Sequence, residues 1–322
     1  MNYFLPPWSR YGATLAALVW LLGSSGACAM GLMIKPARAD CAAPNVATAT
    51  AIVSAIAPAQ AALRISQSLV AQGSKDIAWA WLGTPTSRYP HKALGSVVHA
   101  GSLHVTTALG QDVVYTLPFH RVFEDLMVRL HDLDGDGRDE MIVIESDALR
   151  GSAVVVLGLQ LLPAKSGFKA TTVITELARS APTGSTFYWL NPVGVADFDG
   201  DGKPDIASVI TPHVGGLLTL YHYKPPKLEP FAQAMDTSNH RMGDLEQQLA
   251  VIVEQKGLRP TIIVPDMQLK ALHALRWEAP GQWKELADVK PLSATVKRIT
   301  PLPNGGCVLL TDATWWRVHL LN

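Results

Sequence analysis

Two short acidic loops of the same spacing, each followed by a β-rich run, constrain this chain more than any other feature. One reads DLDGDGRDE over 132–140, the other DFDGDGKPD over 197–205. Each places a carboxylate at loop positions one, three, five and nine. In the first loop these are Asp132, Asp134, Asp136 and Glu140; in the second, Asp197, Asp199, Asp201 and Asp205. Glycines at positions four and six permit the tight backbone path that gathers those oxygens around one point. Carboxylates crowded in this way repel one another unless a cation sits among them. Hard oxygen donors on a tight loop suit Ca²⁺, so the expectation is two calcium sites, one per loop.

An EF-hand starts in a similar way but ends differently. It needs a bidentate Glu at position twelve and a helix on either side. Position twelve is Val143 in the first loop and Ser208 in the second, and neither can close such a cage. The flanks also read as strands. MIVIES (141–146) and SAVVVLGL (152–159) follow the first loop; IASVIT (206–211) and LLTLYHY (217–223) follow the second. These are short β-branched or aromatic runs punctuated by Gly and Pro. Each loop therefore joins two strands, with its last acid at the start of the second.

The loop-and-strand unit recurs. RPTIIV (259–264) parallels KPDIASV (203–209), which puts Val253, Gln255, Gly257 and Thr261 where the second loop has its acids. That third copy keeps the strand and has lost the ligands. A fainter copy ends in PNGGCVLLTD (303–312), and IAWAWL (77–82), SVVHAG, SLHVTTAL and VVYTL make one more upstream. Four-stranded units repeating at roughly 40–65 residues point to propeller blades. The predicted fold is an all-β propeller of about five four-stranded blades, or six if residues 41–75 add strands. Residues 76–322 would form it, with 40–75 as a linker or the segment that closes the last blade.

The N-terminus reads as an export signal over 1–39. Arg10 precedes an apolar core from Gly12 to Leu22, and Ala37-Arg38-Ala39 supplies an A-x-A pattern before Asp40. The core is short for a transmembrane span. The alternatives are an uncleaved anchor running to Ile34 and, more weakly, a lipoprotein signal ending at Cys28. Cleavage after Ala39 would leave Cys41 and Cys307, which export would allow to pair. The expected location is the periplasm or the outside of the cell, with no membrane span in the mature chain. Lys plus Arg and Asp plus Glu each total 27, and no basic run accompanies them, which argues against nucleic acid.

The loops and repeat resemble FG-GAP/VCBS-type repeat proteins, whose calcium-looped blades also occur in integrin α-subunit propellers. The strings that carry the resemblance are FEDLMVRLHDLDGDGRDEMIVIES (123–146), WLNPVGVADFDGDGKPDIASVITPHVGG (189–216) and SNHRMGDLEQQLAVI (238–252). It covers roughly residues 76–270. The resemblance implies a propeller, export, and one Ca²⁺ per intact loop, so the altered third copy should hold none.

A second polar set recurs just after the second strand of each blade, in loops that would open on one face of a propeller: Asp147, Arg150, Gly151, then His213, Gly215, Gly216. Asp266, Lys270 and Asp312 follow in the later units. Arg88, Tyr89, His91, Asn239 and His240 could join them. Arg88, His91, Asp147, Arg150, His213 and His240 are the candidate ligand-binding residues, although Asp and Gly also make turns without any ligand. No HExxH motif and no G-x-S-x-G elbow is present. His99 and His104 read as packing or surface residues on strands, and the pairs Trp79/Trp81 and Trp315/Trp316 as core or inter-blade packing, with stacking on sugar rings as the alternative. The functional expectation is a monomeric, non-enzymatic binding module for a protein or glycan of the cell envelope, with structural Ca²⁺. The alternative is a propeller hydrolase or lyase acting on polysaccharide.

Overall fold

The computed structural model describes residues 32–37, 41, 63–164, 169–286 and 291–321. The expected leader core at 12–22, Cys28 and Ala39, and most of 41–75, lie outside them. Every element among the described residues is a β-strand, so the chain is all-β. The first strand is β1 (Leu32–Pro36). Next come β2 (Ala71–Gln72), β3 (Ile77–Thr86), β4 (His99–Thr107) and β5 (Asp112–Thr116), followed by the short β6 (Arg121–Phe123). The first acidic unit holds β7 (Arg129–His131), β8 (Glu140–Asp147), β9 (Gly151–Leu162) and β10 (Thr171–Arg179). The second holds β11 (Leu190–Ala196), β12 (Asp205–Ile210), β13 (Leu217–Lys224) and β14 (Lys227–Ala234). The third holds β15 (Val251–Val253), β16 (Thr261–Pro265), β17 (Leu272–Ala279) and β18 (Gln282–Glu285). The last holds β19 (Val296–Leu302), β20 (Gly305–Leu310) and β21 (Trp315–Leu320).

Within each unit the strands pair antiparallel in chain order. The third unit and the last are separate four-stranded sheets; the earlier units join into one sheet of thirteen strands. Its joints are thin. A single parallel pairing, Arg179↔Lys227, ties β10 to β14, and Ala100↔Phe123 ties β4 to β6.

Exposure follows position in the unit. β8 is buried at every residue and β12 at nearly every one, because apolar side chains meet a neighbouring sheet on both faces. The outer strands β5 and β14 alternate or are largely exposed. One core joins the units before residue 180 to Trp189, Ile206 and Tyr221. A second joins β11–β14 to Ile262, Val264 and Trp277, and a third joins β15–β17 to the last sheet. Each core thus lies between successive units in the chain.

The structure departs from the sequence reading in three places. SVVHAG and SLHVTTAL form one strand, β4, because Gly101 and Ser102 continue the ladder instead of turning it. Among the described residues of 41–75, only β2 is a strand, and it pairs with β3. The strand that completes the last sheet is β1, from Leu32–Pro36, paired with β21.

Cys41 and Cys307 form a disulfide with a Cα–Cα distance of 5.6 Å and a sequence separation of 266. It sits among Ala37, Leu302 and Trp315. Closing so long a loop restricts the unfolded chain, a stabilisation of roughly 5 kcal/mol in the chain-entropy account. Cys307→Ser is therefore expected to lower the urea midpoint and to steepen the slope, as the unfolded chain loses its cross-link and exposes more surface. An unchanged midpoint would mean that the native cores alone hold the last sheet.

Candidate functional site

The two acidic loops are built alike. In each, the first Asp accepts the N–H of the glycine three residues on (Gly135 to Asp132 Oδ1, Gly200 to Asp197 Oδ1, both 2.7 Å). Its other oxygen accepts the N–H of the second glycine, at 3.0 Å from Gly137 and 2.9 Å from Gly202. The second Asp takes the N–H two residues on, at 3.2 Å for Asp136 and 3.0 Å for Asp201. The third takes that of Arg138 or Lys203, each at 2.8 Å. The glycines repeat the same left-handed backbone, with φ of 76° at Gly135 and Gly200 and 86° at Gly137 and Gly202. An L side chain is strained at those angles, which is why glycine stands at positions four and six.

The fourth acid anchors each loop to the core. Glu140 Oε2 accepts the N–H of buried Leu133 at 2.7 Å, and Asp205 Oδ2 that of buried Phe198 at 3.1 Å. One ligand atom from each of Asp132, Asp134 and Asp136 lies within 4.8 Å of the others, and the same holds for Asp197, Asp199 and Asp201. Burial first, and then the carboxylates at Asp134, Asp136 and Asp132, push Glu140 up to about 7. Burial also raises Asp205 to about 6, with Asp199 adding to the rise and His222 opposing it. These donor sets are carboxylate-rich and convergent, which fits a divalent cation with hard oxygen ligands.

Each loop also has neighbours of its own. Lys75 forms an ion pair with Asp132, and Arg138 reaches Asp76 at 3.1 Å. In the second loop His222, on β13, faces Asp205 with Nδ1 at 3.0 Å and Asp199 with Nε2 at 3.9 Å. Asp199, Asp205 and His222 form a further group close enough to share an ion. A cavity of about 450 Å³ is lined by Asp134 and Gly135 of the first loop, by Asp199 and Asp201 of the second, and by His222 of β13. A neighbouring cavity of about 430 Å³ is lined by Asp134, Asp136 and Glu140. Tyr223 and Pro225 border both. The two loops are therefore adjacent.

Residues 132–208 match the family model described as an FG-GAP-like repeat. The chain carries an FG-GAP-like repeat. The matched segment begins at the first acid of the first loop and ends just past the second, so it holds both intact ligand sets. It is shorter than the 76–270 span over which the motifs resemble the family. No curated protein matches the chain.

On the opposite ends of the FG-GAP-like strands, the second candidate set falls into two groups. His213 and His240 meet, Nε2 to Nδ1, at 2.9 Å. His240 Nε2 donates to the carbonyl of Asp244 at 3.0 Å, which makes His240 Nδ1 the acceptor and His213 Nε2 the donor in the neutral pair. Both rings pack on buried Trp189. Burial is the main cause of their low pKa values, about 3 for His213 and about 4 for His240. His91 Nδ1 lies 2.7 Å from buried Glu124 Oε1, a close contact outside hydrogen-bond angles, and the His91 ring stacks on Phe187. Asp147, Arg150 and Arg88 form the other group. Asp147 caps its own turn at Leu149 and Arg150 and takes Arg121 at 3.3 Å, while Arg88 Nε donates to the Arg121 carbonyl at 2.9 Å. These contacts hold hairpins in place.

His99 and His104 are packing residues, as expected. His99 Nε2 meets the His91 carbonyl at 3.0 Å, and His104 stacks on Trp81 with centroids 3.9 Å apart. The sequence reading missed His222 as a neighbour of the second loop. Its signal was present: His222 stands opposite Asp205 in the β12–β13 ladder. Lys75 carried no such signal, because it reaches the first loop from well upstream.

Proposed function

We propose that the chain is an exported, calcium-stabilised β-propeller that serves as a binding module for a protein or glycan and is not an enzyme. Its blades would be the four-stranded runs β2–β5, β7–β10, β11–β14, β15–β18 and β19–β21 with β1. The observation that carries the reading is the bond-for-bond likeness of the two acidic loops, each set at a strand start with a convergent cluster of carboxylates. Each Ca²⁺ would pin the turn between two strands and neutralise carboxylates that otherwise oppose the fold. The ions would therefore support the structure, leaving the hairpin face, where Leu149, Phe187 and Val214 are exposed over the largely buried Trp189–His213–His240 cluster, as the surface for a partner. A disulfide joining Cys41 to Cys307 suits an oxidising compartment.

The test is a thermal melt in EDTA and in calcium at two pH values. A carboxyl whose pKa is raised by folding holds its proton more firmly folded than unfolded. Glu140 and Asp205 therefore favour the calcium-free fold at low pH, and that contribution is lost as pH rises through about 6 to 7. A bound cation removes the loss. The calcium-induced rise in Tm should thus be larger at about pH 7.5 than at about pH 5. No rise at either pH would sink the structural role for calcium.

A further inference from the structure

The strand that completes the last sheet lies ahead of the Ala37-Arg38-Ala39 pattern. β1 pairs with β21 from Leu32↔Leu320 to Pro36↔Trp316. Leu32 is buried in one core with Val308, Val318 and Leu320, and Ile34 packs against it. The Ala37 N–H donates to the Trp315 carbonyl at 2.9 Å, and Ala37 packs beside the disulfide. A chain that began at Asp40 would lose all of these contacts. It would also leave β21, WWRVHL, as an open apolar edge of the kind that recruits other strands.

The sequence contains a second small-residue pattern, Ala27-Cys28-Ala29, ahead of Met30. It ends about seven residues past the apolar core, the usual place for a leader peptidase to cut, whereas Ala39 lies about ten residues farther on. We infer that the chain is processed between Ala29 and Met30, so that β1 stays with the mature protein. Hydrolysis there breaks one peptide bond: water gives the Ala29 carbonyl its hydroxyl and the Met30 nitrogen its proton. Cys28 leaves with the leader, while Cys41 and Cys307 remain paired. The inference rests on the export reading above.

The experiment is expression of the full chain in an exporting bacterial host, with fractionation, intact mass and N-terminal sequencing. The expected product is exported and begins Met30-Gly31-Leu32. Ala29→Leu should block its formation, and Ala39→Leu should leave its N-terminus unchanged. An exported product beginning at Asp40, or an exported chain with residue 1 still attached, overturns the cut and leaves export standing. Full-length chain held in the cytoplasm overturns export and the cut together. As a second measurement, chains starting at Met30 and at Asp40 are melted side by side. The longer chain should melt roughly 5 °C or more above the shorter; equal melting temperatures would remove the structural reason for the upstream cut.

Discussion

Calcium at a hundred times its dissociation constant is expected to raise the unfolding free energy by about 5 kcal/mol, from two independent sites of about 2.7 kcal/mol each. The loops do not share a ligand: Asp132, Asp134 and Asp136 serve one, and Asp197, Asp199 and Asp201 the other. Asp134→Ala should therefore remove about half of the gain, Asp199→Ala the other half, and the double substitution all of it. The same substitutions should change the calcium-free melt little: Asp134 is exposed and accepts only a local N–H, and Asp199, half-buried, adds a 3.9 Å contact with His222 while crowding Asp205. That contrast separates loss of an ion from damage to the fold. Calorimetric scans of the four proteins, with and without calcium, measure it; equal gains in all four would show that calcium acts elsewhere.

Asp125→Ala is expected to cost about 3–5 kcal/mol and to do so in EDTA as well as in calcium. Asp125 is buried, and its carboxylate is fully engaged. Oδ2 accepts Arg129 at 2.8 Å and the Ile144 N–H at 3.0 Å; Oδ1 accepts the Leu126 N–H at 2.8 Å and Gln247 Nε2 at 3.1 Å. Alanine would leave a guanidinium and several donors without their acceptor, which costs more than the pair contributes. Gln247 extends the network, since its carbonyl accepts Asn191 Nδ2 at 2.7 Å while Asn239 Nδ2 returns to the Asn191 carbonyl at 2.9 Å. These bonds join the first acidic unit to the second and third through buried groups. Urea titration of Asp125→Ala against the parent measures the cost, and a change below about 1 kcal/mol would mean that the network relaxes around the gap.

The contrast between these two substitutions also marks what the sequence could disclose. The acidic ligands repeat at fixed local spacing, and local spacing survives as a readable pattern. For the same reason the strand runs after each loop were legible: alternation and β-branching are properties of neighbours in the chain. Asp125 and Gln247 meet across 122 residues, and nothing in either local sequence names the other. Leu32–Pro36 was hidden differently. Its apolar residues follow a leader core closely enough to read as part of it, and only the pairing with β21 distinguishes a strand from a leader. At the hairpin face, His213 and His240 were legible as a recurring position, but their contact with Trp189 depends on how the units close together. Arg88 and Asp147 stood out equally in the sequence, and the fold uses both to brace turns.

The central claim is that each acidic loop holds one calcium ion. Isothermal titration of calcium into the EDTA-stripped chain tests it most directly. The account predicts two ions per chain, one after Asp134→Ala, one after Asp199→Ala and none after both. No binding heat by the parent, or a stoichiometry that these substitutions leave unchanged, would contradict it.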